Sequence, residues 1–172
     1  VRRYLEPGPI VLVSSAWNGE RDIMTMGWHM VLEFTPSLLA CCISSGNHSF
    51  ELVRRSGECV INLPTAGIID TVVGIGNSSG AQFDKFAHFG LTAVAADMVG
   101  APLIAECHSS FECRLHDDSL VDRYNLFVWE VVKAHVATRP KIPHTVHYRG
   151  DGDFMVSGKE ISRRRLFLPE ML

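Results

Sequence analysis

Two short segments of the sequence carry residue types that could do chemistry together. Asp22-Ile23-Met24-Thr25-Met26-Gly27-Trp28 alternates Ile23, Thr25 and Gly27 with Met24, Met26 and Trp28. As a strand it presents one smooth face and one bulky face, a wall for a flat ring. Ser44-Ser45-Gly46-Asn47-His48-Ser49-Phe50 gathers short hydroxyl and amide side chains where a strand gives way to a helix. The unpaired N–H groups of a helix N-terminus attract anions, which makes this segment a cradle for a phosphate.

Several elements must position these segments. Strands over residues 10–15 and 22–28 flank Asn18-Gly19, a strong hairpin signal between apolar runs. A third strand over 38–44 starts just after Pro36, and a fourth covers 58–63. Between them 50–56 is predicted helical, with Asn47 or Ser49 to cap it and Gly57 to end it. Short helices over 68–73 and 84–89 flank a plain glycine-rich loop, 74–80. Residues 105–115 alternate apolar and polar, as a half-buried antiparallel strand does. Residues 124–136 are apolar on both alternating faces, a strand covered on both sides, with a second subunit as one possible cover. A last hairpin is expected from 145–149 and 154–156 around Gly150-Asp151-Gly152-Asp153. Many strands, few short helices and no regular strand-helix alternation argue against a doubly wound parallel sheet and favour an antiparallel barrel or sandwich with peripheral helices.

Composition sets the outer bounds. At 172 residues one domain is expected over 1–172, with a core of 8–158 and a tail of 159–172. Hydrophobic residues make up 47% against 20% charged, so some apolar surface is expected to lie against a partner or cofactor. Sixteen basic residues face 19 acidic ones for a net charge of -3, which favours neither nucleic acid nor an anionic membrane. The cysteines at 41, 42, 59, 107 and 113 are odd in number and lack C-x-x-C spacing, as expected of reduced thiols in the cytoplasm. Asp97, Gly100, Pro102 and Glu106 interrupt the longest apolar stretch, so no membrane span is expected, and no secretory leader is visible. The chain starts at Val1 without Met, and the sequence leaves open whether residues precede it.

The remaining motifs have ordinary readings. Gly74-Ile75-Gly76-Asn77-Ser78-Ser79-Gly80 follows a helix rather than a strand, against a dinucleotide fingerprint. Along a strand Cys107 and Cys113 face opposite to His108 and His116, so core thiols and surface histidines are expected and no metal site is assigned. Arg163-Arg164-Arg165 reads as a solvated end or a subunit contact. No G-x-S-x-G elbow and no paired-carboxylate context appears. An enzyme without its own acid-base groups leaves the chemistry to a cofactor.

In the order Asn-Gly turn, D-I-M-T-M-G-W strand, Pro36, strand, S-S-G-N-H-S-F helix start and C-V-I-N-L-P, the chain resembles the flavin reductase-like family of FMN-binding split barrels, flavoredoxins included. Phe83-Asp84-Lys85-Phe86 resembles the family's D-K-F segment, and Tyr124-Asn125-Leu126-Phe127-Val128-Trp129-Glu130-Val131 its late Y-N-L-F strand. The resemblance implies a mainly β, six-stranded antiparallel split barrel with short peripheral helices, a homodimer with FMN near the subunit interface. It implies that Met24, Thr25, Met26 and Gly27 line the ring. Ser44, Ser45, Asn47, His48 and Ser49 would hold the ribityl phosphate, with Lys85 a nearby cation. The implied activity is that of an oxidoreductase taking hydride or electrons at bound FMN, with NADH or NADPH as donor and free flavin or a redox partner protein as acceptor. One departure stands out: related two-component reductases carry G-D-H before the late strand, whose histidine is associated with the nicotinamide, where this chain has Asp122-Arg123-Tyr124-Asn125. The alternative expectation is a split-barrel module that binds flavin, haem or another small ligand without turnover.

Overall fold

Asn18 and Gly19 adopt φ of 51° and 83°, the paired left-handed conformation of a two-residue hairpin turn. They join β1 (Val11–Trp17) to β2 (Glu20–Met26), with Val13 opposite Met24. The computed structural model describes residues 8–171. After β2 come β3 (His29–Glu33), β4 (Leu38–Cys42), α1 (His48–Ser56), β5 (Glu58–Leu63), α2 (Ile69–Gly76) and α3 (Lys85–His88). A two-stranded ribbon of β6 (Ala93–Val94) and β7 (Leu103–Ile104) leads to β8 (Ser109–Asp117). Then follow α4 (Val121–Tyr124), β9 (Leu126–Val136) and the hairpin of β10 (Val146–Gly150) and β11 (Asp153–Val156).

Seven strands form one antiparallel sheet in the order β2-β1-β5-β8-β9-β4-β3. Its two edges, β2 and β3, are consecutive in the chain, with only Gly27 and Trp28 between Met26 and His29. A sheet whose outermost strands are joined by two residues must curl until its edges nearly meet. This is the split barrel, and the split lies at Gly27-Trp28. The count exceeds the expected six by β3, whose residues beyond His29 are all exposed. A strand solvated on both faces has no apolar-polar alternation by which the sequence could reveal it.

Alternation along β1 and β2 feeds two apolar layers. Val11, Val13, Met24 and Met26 turn into the barrel, where Phe127 and Trp129 of β9 stack at 5.5 Å. Ile10, Leu12 and Ile23 turn outward against Val72 and Ile75 of α2 and Phe86 of α3. Phe50 carries α1 onto the barrel by an edge contact with Phe127 at 5.4 Å, and Gly57 ends that helix at φ 65°.

Two expectations need correction. The antiparallel strand expected over 105–115 is β8, but it begins at Ser109, and Glu112 on its polar side is fully buried rather than solvated. Residues 97–99 fold over that face and donate amide hydrogens to the Glu112 carboxylate at 2.6–3.1 Å. Nor is 74–80 a plain loop, since α2 extends to Gly76. A Cβ on Gly74 would meet the Phe89 ring at 2.5 Å, and one on Gly80 would collide with the Asp22 carboxylate. Among the described residues no helix is long and apolar enough to cross a membrane.

Candidate functional site

The split in the barrel opens a cleft of about 380 Å³. One wall is the end of β2, where Met24, Thr25, Met26 and Gly27 run into Trp28. The opposite wall comes from the exit of β4, with Cys42, Ser44 and Asn47, and from Asn125 ahead of β9. Backbone bonds hold the site in place: the Cys42 amide donates across to the Trp28 carbonyl, and the Ile43 amide ties the exit of β4 to the Asn125 carbonyl, both at 2.9 Å. Asn125 adopts φ 56°, a left-handed conformation that asparagine tolerates better than most residues.

Between β4 and α1 the chain makes a tight turn. The Asn47 amide donates to the Ser44 carbonyl at 2.9 Å and the Gly46 amide to Ser44 Oγ at 3.2 Å. The Asn47 side chain donates to the Ser44 carbonyl at 3.3 Å and makes no capping bond to the helix. In the first turn of α1 the Phe50 amide donates to the Asn47 carbonyl at 3.0 Å, whereas the His48 and Ser49 amides precede the first intrahelical bond and have no Asn47 side-chain cap, at the positive end of the helix dipole. None of the described residues lining the cleft is charged. Its polar end is made of amide and hydroxyl donors, and its other end of thioether, glycine and indole. A flat apolar ring with an anionic tail matches that division.

Six of the ten expected site residues meet here: Met24, Thr25, Met26, Gly27, Ser44 and Asn47. Ser45 is exposed on the same turn, and His48, at the start of α1, pairs through Nε2 with Glu20 Oε1 at 2.7 Å. Ser49 and Lys85 are placed differently from the expectation. Ser49 is fully buried and donates to Asp22 Oδ2 at 2.7 Å. Lys85 is also buried; its Nζ lies 3.5 Å from Asp22 Oδ1 and donates to the carbonyls of Ile23 and Ile75 at 2.7 and 3.4 Å. A buried carboxylate must be matched by charge and donors, and Asp22 takes both side chains for that purpose.

The network around Asp22 therefore positions the cleft rather than lining it. Ser49 ties the first turn of α1 to β2, so the two walls are fixed to one buried acid. The D-K-F segment has a similar role. Asp84 caps α3 by accepting from the Phe86 amide at 2.9 Å and pairs with Arg21 at 2.7 Å, and the Arg21 bond holds its carboxyl below the ordinary range. Phe86 enters the outer core. Sequence reasoning missed Trp28, Cys42 and Asn125 as lining residues. Trp28 and Asn125 lay inside the quoted motifs, whereas Cys42 carried no signal beyond its place at the end of a strand.

Elsewhere, Asp97, Glu112 and His135 bring their ligand-type atoms within 4.8 Å of one another. Glu112 already accepts three amide hydrogens and faces His135 Nε2 at 2.6 Å, while Lys133 Nζ sits 3.2 Å from Asp97. This is a satisfied loop anchor. The five cysteines form no disulfide, and burial pushes the Cys107 thiol up to about 12, with the Glu106 charge adding to it.

Residues 2–153 match the family described as Flavin reductase like domain. The Escherichia coli (strain K12) uncharacterized protein YddH is 30% identical over 174 residues, spanning 93% of this chain and 92% of its own length. Among solved structures, an FMN-binding domain of a flavin reductases-like enzyme from Shewanella baltica OS155 superposes with a TM-score of 0.82 at 26% identity, covering 93% of this chain and 92% of that one. The flavoredoxin of Desulfovibrio vulgaris (Miyazaki F) has the same fold, with a TM-score of 0.83 at 21% identity over 92% and 91% of the two chains.

Proposed function

Because the chain belongs to the flavin reductase like domain family, we propose that it is an FMN-binding oxidoreductase that takes up hydride or electrons at bound FMN and passes them to free flavin or to a redox partner. The observation that carries the reading is the cleft itself, an apolar strand end facing a donor-rich turn at a helix N-terminus across about 380 Å³. The Shewanella neighbour's description as an FMN-binding domain supports the choice of cofactor.

When bound, FMN supplies reversible one- and two-electron chemistry. The chain's own residues bind and orient it. The His48 and Ser49 amides at the start of α1, with the Ser44 and Ser45 hydroxyls and the Asn47 side chain, would hold the phosphate. Met24 to Gly27 support the ring along their backbone, and Gly27 leaves no side chain in the way. A Cβ there would already lie 3.0 Å from Ile10 Cδ1. Trp28, which lines the same cleft, would border the ring. Asp22, through Ser49, keeps the helix terminus at a fixed distance from the ring wall.

NADH or NADPH is the proposed electron donor, and a homodimer the proposed assembly. Anaerobic titration of the FMN-loaded protein tests the donor: either nucleotide bleaches the flavin absorbance directly if the protein is a nicotinamide-dependent reductase. If only dithionite or a protein reductant does so, the protein is an electron carrier of the flavoredoxin type.

A further inference from the structure

A second pocket of about 380 Å³ adjoins the first and shares Thr25, Gly27 and Trp28 with it. Its remaining walls come from Ile10, from the C-terminal half of α2 and from the β10–β11 hairpin. The two pockets differ in electrostatics. The first meets the N-terminus of α1, where amide hydrogens point outward. The second meets Val73, Gly76 and Asn77 at the C-terminus of α2, where the carbonyls of Val73, Gly74 and Ile75 are already taken by Asn77, Ser78 and Lys85 and no helix N-terminus supplies amide hydrogens. No described residue that lines it is charged. Thr25 Oγ1 is already committed, donating to the Val72 carbonyl at 2.7 Å. Asn77 supplies an amide at the rim.

Three aromatic side chains bound this space. Trp28 lines both this pocket and the first cleft, and Tyr148 and Phe154, with ring centroids 5.1 Å apart, form the hairpin side. The hairpin is held in shape by three successive left-handed residues, Gly150, Asp151 and Gly152 at φ 91°, 56° and 87°. Bringing a pyrophosphate against apolar walls, with no charged lining residue and no helix N-terminus to meet it, is unfavourable. A flat, uncharged conjugated ring stacks on the aromatic walls, and its carbonyl oxygen can accept from the Asn77 amide.

We infer that this second pocket binds an uncharged planar compound of the quinone or aromatic carbonyl class, against the same strand end that supports the flavin ring, and that it rejects phosphate-bearing ligands. The inference rests on the proposed FMN site only for the identity of the neighbouring ligand. Its test is calorimetric titration of the FMN-loaded protein with duroquinone, which is uncharged and has no open ring position for thiol addition. One site per chain is expected. Val73→Trp, which fills the pocket from α2, and Phe154→Ala, which removes a wall, should each weaken duroquinone by at least about tenfold while changing FMN affinity by less than about twofold. Thermal melts establish that each variant is folded, and two variants from different elements keep the test open if one is not. Absence of duroquinone binding, equal binding in both folded variants, or NADH binding weakened by the same substitutions would overturn the assignment. If the protein takes up no FMN, the proposed function fails, and duroquinone titration of the flavin-free protein still decides the pocket.

Discussion

Asn47 is the position where a single charge separates phosphate binding from helix stability. Asn and Asp start helices about equally well, so Asn47→Asp should leave the melting temperature nearly unchanged. A carboxylate at the mouth of the cradle repels a dianion, and FMN affinity should fall by at least about tenfold, or about 1.4 kcal/mol. Flavin fluorescence titration of both proteins measures it. Ser49 should behave in the opposite way. Ser49→Ala removes a buried donor from Asp22 and should cost about 1–3 kcal/mol of stability, measured by urea unfolding, with a smaller effect on FMN affinity than Asn47→Asp. The side-chain types of the cradle were legible in the sequence, but the division of labour within S-S-G-N-H-S was not. Which hydroxyl faces the cleft depends on where the helix begins, and Asp22, which claims Ser49, is 27 residues away. Glu112 gives a pH signature. Burial raises its carboxyl, but the His135 ring and the amides of Asp97 and Met98 outweigh that and hold it below the ordinary 4.5. The folded state therefore binds fewer protons than the unfolded chain in acid. The stabilisation is full above about pH 4.5 and is lost as pH falls through the depressed value. The stability difference between wild type and Glu112→Gln should accordingly shrink between neutral pH and about pH 3.

At the scale of elements, β2, α1, α2 and α3 are joined through one buried ion pair. Lys85 reaches β2 and α2 at once, through Asp22 and Ile23 and through Ile75. Lys85→Met leaves the Asp22 carboxylate buried without its cation and should destabilise the fold by about 3–5 kcal/mol; chemical denaturation measures the loss. A small change would contradict the role given to this pair. Local patterning revealed the first hairpin, the fourth strand, the helix ended by Gly57 and the last hairpin, because turn chemistry and periodicity are written within a few residues. The order of the D-K-F segment was legible too. Its role was not, since Lys85 meets a residue 63 positions earlier, and the pattern of α3 alone contains no trace of that partner. Burial of Glu112 was hidden for the same reason: the loop that covers it arrives from residues 97–99.

At the scale of the whole molecule, the curl of the sheet places both edge strands beside the cleft, and β3 leaves Met30, Val31 and Leu32 exposed, followed by Phe34. An exposed apolar edge strand invites a partner, and the composition had led to the expectation of apolar surface against a partner or cofactor. Sedimentation equilibrium should therefore find a homodimer, and Val31→Glu should shift it toward monomer. The account's central claim is that FMN binds between the end of β2 and the N-terminus of α1. The most direct measurement is titration of the flavin-free protein with FMN, followed by flavin fluorescence and absorbance, alongside Asn47→Asp. The account predicts saturation at one FMN per chain and markedly weaker binding by the variant at equal fold stability. A protein that neither retains nor binds FMN, or a variant that binds it as tightly as wild type, would contradict it.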